Sequence, residues 1–235
     1  MTSRKNKLKL AILISDTGTG TNLKAIIDGV DAGKINAEII AVISDTVDAI
    51  GLERAKKYFL KIDPVRNREG SQRPSISNGI EICEKKEALL PLLQKLNSQK
   101  DLMYICLAGW KQIILDEVII AYSNRILNLH PGLVPDTING SLPAQTGVKN
   151  PDGTNALWNK GMLTTKAIRN FLDQKKTYAG SSIHFLTLDF DFGPVLGRTF
   201  EKVEPHDNVE SLYSRLKKKE NQLYVEVLEK LCKKL

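Results

Sequence analysis

Along the first 130 residues, short and nearly continuous apolar runs alternate with segments whose apolar positions recur every three to four residues. The runs are "KLAILIS", "AEIIAVIS", "LMYICLAG" and "RILNLHP". Between them lie "NLKAIIDGV", "GLERAKKYF", "GIEICEKKEALLPLLQKL" and "KQIILDEVIIAYS". A strand that alternates apolar with polar residues has one wet face, whereas an unbroken apolar run has none, as in parallel sheets covered by helices. The pattern therefore predicts an α/β Rossmann-like fold with a mostly parallel central sheet and helices on both faces.

After Pro131 the periodicity lapses. "GLVPDTINGSLPAQTGVKNPDGTNALWNKG" is rich in Gly, Pro, Asn, Asp and Thr and predicts a long loop. Loops of that length inside a compact domain are usually functional or mobile. Order resumes with "TTKAIRNFLDQ" as a helix and "SSIHFLTLD" as a strand that sets Ile183 and Phe185 against Ser182 and His184. "GPVLGRTFEKV" follows as its neighbour, and a long helix starts near Asn208. There is no internal repeat.

Composition narrows this picture. With 235 residues, 42% of them hydrophobic and 26% charged, the chain suits one α/β domain. "LKLAILI" follows a basic start but runs into "SDTGTGT" and reads as a first strand rather than a leader. No apolar run approaches the ~20 residues that span a bilayer, so the expectation is a protein without membrane partners. Cys83, Cys106 and Cys232 have neither metal-ligand spacing nor an even count, which points to reduced thiols in a cytoplasm. Much of the +7 charge lies in "SRLKKKE" and "EKLCKKL". It is read first as a solvated helix face, then as attraction for an anionic small substrate. A nucleic-acid surface comes last, since few aromatics accompany the basic residues.

Ligands of open α/β sheets bind beyond the carboxyl ends of the strands. Three groups fall there. In "ISDTGTGTNLKAII", Gly18, Gly20, Thr21 and Asn22 link a strand to a helix, where free N–H groups favour phosphate. The segment is neither a P-loop nor a dinucleotide fingerprint, and an ordinary turn with Thr21 or Asn22 as N-cap is the alternative. In "LNLHPG", Asn128 and His130 are two apart on a strand, so both project to one side ~6.6 Å apart. Pro131 keeps His130 extended. An amide beside an imidazole suits an oxygen that gains negative charge, or a proton in transit, although taken alone such a strand-end pair is more often satisfied locally. In "SSIHFLTLDFDFGPV", Asp189 or Asp191 could orient that imidazole. Asp189 reads as a turn residue, and His184 as structural or pocket-lining.

Taken together, "ISDTGTGTNLKAII", "VISDTVDAIGLERA", "CLAGWKQII", "LNLHPGLVP", "SSIHFLTLDFDFGPV" and "SLYSRLKKKENQLY" resemble the folate-dependent formyltransferases, the last segment their purine branch in particular. The resemblance covers most of the chain and implies a single formyltransferase domain over residues 1–235. Within it, about 1–130 would form a phosphate-binding half and about 131–235 a folate-side half. It implies Asn128, His130 and Asp191 as catalytic residues. Gly20, Thr21 and Asn22 would hold phosphate, and Glu220 would receive a glycinamide amine. The backbone of Gln112, Ile113 and Ile114 and the turn with Leu188, Asp189 and Phe192 would line the folate cleft. The implied co-substrate is 10-formyltetrahydrofolate and the implied acceptor 5-phosphoribosylglycinamide. No metal and no nucleic-acid partner is implied, and the chain would be a monomer or homodimer.

Departures from the family pattern set further expectations. Residues about 136–160 look like an insertion that acts as a lid or obstructs substrate. Phe192 stands where the family has Gly, and a left-handed backbone there would be costly. The phosphate loop carries two extra residues, and "VRNREGSQRP" is the segment from which a basic side chain could help hold substrate. Two rival readings remain: a relative with another amine acceptor, and a non-catalytic phosphoribosyl- or nucleotide-binding module.

Overall fold

The computed structural model describes residues 7–15, 20–62, 79–136 and 147–234. The chain runs β1 (Leu8–Ile14), α1 (Thr21–Asp31), β2 (Ala37–Ser44), α2 (Gly51–Ile62), β3 (Ile80–Ile82), α3 (Leu89–Lys100), β4 (Tyr104–Leu107) and α4 (Asp116–Ala121). It continues with β5 (Ile126–His130), α5 (Thr164–Asp173), β6 (Tyr178–Phe185), β7 (Val195–Lys202) and α6 (Val209–Cys232). The seven-stranded sheet has the order β3-β2-β1-β4-β5-β6-β7. Two compact units are distinguished, one of residues 1–126 with 228–235 and the other of 127–227.

In the first unit β1 lies between β2 and β4, parallel to both, with Leu8 opposite Ala37 and Leu10 opposite Tyr104. β3 extends the parallel set beyond β2. Every β1 residue except Lys9 is buried, as a strand covered on both faces requires. α1 turns Leu23 and Ile26 inward, both fully buried, and each such side chain contributes about 1.5–3 kcal/mol. Two boundaries differ from the sequence reading. Ile80–Ile82 is a strand rather than the start of a helix, because its three residues pair with Val42–Ser44. α3 begins only at Leu89, which leaves Pro91 in the first turn, where its missing N–H is harmless. α4 is likewise confined to Asp116–Ala121, following an extended Leu115.

In the second unit β6 pairs antiparallel with β5 and β7. Leu133, Ala156, Ile168, Phe171, Ala179, Leu212 and Leu216 form its apolar core. The predicted alternation in β6 does not separate a wet face from a dry one, since Ser182, Ile183 and His184 are all fully buried. Among the described residues of this unit β7 pairs only with β6, and α6 supplies cations to its backbone: Lys219 Nζ donates to the Phe200 carbonyl at 2.6 Å and Arg215 Nη2 to that of Lys202 at 3.0 Å. Among the described residues no helix is long and apolar enough to cross a membrane.

Candidate active site

The antiparallel register of β5 and β6 sets Asn128 opposite His184 and His130 opposite Ser182. Directly opposed residues share a face, so the strands bring two histidines and an amide to one side of the second unit. His184 Nδ1–H donates to the carbonyl of Phe185 at 3.0 Å. That fixes the tautomer and leaves Nε2 as an acceptor, which takes the Asn128 Nδ2–H at 3.2 Å. Burial, reinforced by the charge of His130, lowers the pKa of His184 to about 4, against partial opposition from the Phe185 carbonyl and Asp191. His184 is thus a neutral ring that holds Asn128, as its pocket-lining reading anticipates.

His130 is 2% exposed. Its Nδ1 lies 3.4 Å from Asp191 Oδ1. Its Nε2 is 2.7 Å from the main-chain oxygen of Trp158, and since a carbonyl only accepts, Nε2 carries a hydrogen. Asp191 sits in the β6–β7 turn with φ 50°, a left-handed conformation that Asp tolerates better than most residues. Burial works to raise its carboxyl. The bond and charge of His130, the Gly161 N–H and His184 outweigh that effect and hold it below the ordinary carboxylate range. The expected strain at Phe192 does not arise. Asp191 and Gly193, at φ 153°, carry the positive angles instead, and a side chain at 193 would meet the Phe185 carbonyl oxygen at 2.0 Å. Asp189 serves the turn through its carbonyl, which accepts from the Phe192 N–H at 3.1 Å. Leu188 stands 61% exposed in the same turn.

The other predicted residues lie as follows. Gly20, with φ 62°, is the residue that caps α1, in place of Thr21 or Asn22. Its missing side chain lets it approach α2, where a Cβ would come 3.1 Å from Gly51 Cα. Asn22 is buried, and among the described residues its Oδ1 has no hydrogen-bond partner. Gly18 and the segment "VRNREGSQRP" lie outside the described residues. A basic group nevertheless meets the α1 turn, because Arg54 Nη1 donates to the Gly20 carbonyl at 2.8 Å. Gln112 Nε2 donates to the Glu84 carbonyl at 3.2 Å, and Ile113 is 69% exposed while Ile114 is buried. Glu220 is in the buried stripe of α6. It accepts from Ser181 Oγ at 2.7 Å and faces Lys217 Nζ at 3.4 Å. That ion pair is made by Oε2, so both carboxylate oxygens are engaged within the protein.

Sequence reasoning missed Trp158, Gly161 and Arg54. The one available signal for Trp158 was a large aromatic ring in an otherwise polar loop. That ring is buried, its Nε1–H donates to the Asp191 carbonyl at 2.8 Å, and it packs edge-on against Phe192 at 6.1 Å.

A strand-end imidazole paired with a turn carboxylate on an α/β sheet is the pattern that pointed to formyl transfer, and the sequence profile of the formyl transferase family matches residues 8–228. The chain belongs to that family. Its relatives include the chloroplastic phosphoribosylglycinamide formyltransferase of Arabidopsis thaliana, 28% identical over 95% of this chain and 65% of the relative. That of Haemophilus influenzae is 30% identical over 92% of this chain and 83% of the relative. The solved phosphoribosylglycinamide formyltransferase of Coxiella burnetii superposes with a TM-score of 0.68 at 29% identity, covering 95% of this chain and 86% of that one. This chain spans less than two thirds of the two plant relatives, 65% and 61% of their length.

Proposed function

We propose that this chain transfers the formyl group of 10-formyltetrahydrofolate to the amine of 5-phosphoribosylglycinamide. The observation that carries the reading is the buried contact of 3.4 Å between His130 and Asp191, on a chain whose relatives bear the name of that activity. The amine nitrogen bonds to the formyl carbon, whose oxygen takes the electron pair. The bond from that carbon to the folate nitrogen then breaks, and a proton passes from the amine to the departing nitrogen. The imidazolium form of His130 and the amide of Asn128 stabilise the oxyanion, and Asp191 orients His130 and assists the proton. Gly20, Thr21 and Asn22, at the positive end of α1, hold the substrate phosphate. On the same reading Gln112 to Ile114, Leu188, Asp189 and Phe192 contribute the folate side, and Glu220 would have to exchange its bond from Ser181 Oγ to receive the amine. Free Cys83, Cys106 and Cys232 support a reducing compartment such as the cytoplasm.

The test is a formyl-transfer assay with both substrates. Formylated phosphoribosylglycinamide is expected, with consumption of formyl folate dependent on the acceptor. Consumption at the same rate without acceptor, or with a mock amine in its place, would overturn the assignment.

A further inference from the structure

Two residues of the predicted insertion and its flank, Trp158 and Gly161, make three polar contacts with His130 and Asp191. The Trp158 carbonyl accepts from His130 Nε2–H at 2.7 Å, the Trp158 indole donates to the Asp191 carbonyl at 2.8 Å, and the Gly161 N–H donates to Asp191 Oδ2 at 2.7 Å. Asn159, itself left-handed at φ 57°, ties the segment down by donating to the carbonyls of Pro131 at 3.0 Å and Ala167 at 3.3 Å. The chain is cut away to admit this contact. A Cβ on Gly132 would lie 1.8 Å from the Trp158 oxygen, and since the backbone there is not left-handed, close approach alone explains the glycine.

An N–H makes one good hydrogen bond at a time, and the acceptor on Nε2 is a peptide carbonyl, chemically close to a formyl group. With His130 only 2% exposed, a substrate oxygen reaches hydrogen-bond distance of Nε2 only when the Trp158 oxygen withdraws. We propose that Trp158 is a gating and positioning residue. Its carbonyl stands in for the formyl oxygen in the resting protein and keeps His130 and Asp191 aligned until substrate displaces it. This rests on the formyl-transfer reading above. Apparent affinity for the formyl donor is then reduced by the fraction of molecules open at any moment.

Trp158→Phe keeps an aromatic ring and removes the bond to Asp191. Loss of one neutral hydrogen bond shifts opening by about fivefold. The experiment combines diethylpyrocarbonate labelling of the full chain, read by mass spectrometry with exposed His206 as internal reference, with steady-state kinetics. His130 is expected to label about fivefold faster relative to His206, and the KM for formyl folate to fall about fivefold with kcat unchanged. An unchanged labelling ratio, or a fall in kcat with KM constant, would overturn the gate and leave Trp158 a packing residue. Asn159→Ala, which loosens the segment without touching the pair, must move the labelling the same way. It decides the question if circular dichroism shows Trp158→Phe misfolded. Faster labelling in a protein that never transfers formyl overturns the functional reading and with it the formyl-oxygen role. Normal transfer with unchanged labelling overturns the gate alone.

Discussion

Acidification probes how His184 holds Asn128. In the unfolded chain His184 takes a proton near pH 6.5, whereas the folded protein keeps it neutral down to about 4. Between those values the unfolded state binds more protons. The contribution is therefore fully present above pH 6.5 and is lost as pH falls toward 4. A gap of about 2.5 pH units at about 1.4 kcal/mol per unit makes between about 3 and 4 kcal/mol, a large part of the 5–15 kcal/mol that holds a typical domain together. Asp191 does not confuse the window: its lowered pKa contributes stability that is present above about pH 3.9 and disappears only below it. The assay is urea unfolding at half-unit steps from pH 7.5 to 4.5, with wild type beside His184→Gln. The wild-type midpoint is expected to fall steeply below pH 6.5 and that of the variant to stay nearly level. Parallel curves would refute the reasoning. Activity of the folded protein is expected to hold well below pH 6.5 and to fail only near pH 4, where Nε2 takes a proton, becomes a donor and repels the Asn128 amide hydrogens it accepts at neutral pH.

His130→Ala and Asp191→Asn are each expected to lower turnover by about a hundredfold or more while far-UV circular dichroism stays native; near-normal rates in either would remove that residue from the chemistry. Arg54→Ala frees the Gly20 carbonyl from a charged hydrogen bond of 2.8 Å, and a roughly tenfold rise in KM for the phosphoribosyl substrate is expected with kcat little changed, on the scale of about 1.5–3 kcal/mol for such bonds. Gly193→Ala places a methyl group 2.0 Å from the Phe185 oxygen at an unfavourable φ, so thermal melting should report a loss well above about 1 kcal/mol; an unshifted melting temperature would mean that the turn rearranges freely.

Much of the architecture was legible because burial on two faces leaves a plain trace. β1 and β2 read as unbroken apolar runs, and α6 repeats its buried positions from Leu212 through Leu216 to Leu223 and Tyr224. Three-residue β3 left no such trace, since Ile80 and Ile82 flank a glutamate in a stretch otherwise suited to helix. At the site, the two-residue spacing of Asn128 and His130 foretold a shared face. It could not foretell that the amide is held by His184, because that depends on the antiparallel register of a strand more than fifty positions later. Trp158 was hidden for a related reason. Its contact with His130 is made by a main-chain oxygen, which every residue has, and besides the ring itself the local hint of the approach is the missing side chain at Gly132.

The cations that α6 lends to the outer strand bear on how this protein behaves in a crowded solution. An unpaired strand margin is a template on which another polypeptide can build, by strand addition or by aggregation. Along β7 the oxygens of Phe200 and Lys202 already have partners in Lys219 and Arg215, and the same two side chains share Glu201 as an ion-pair partner. An intruding chain would have to evict both. At these two carbonyls, strand addition has to compete with the protein's own last helix.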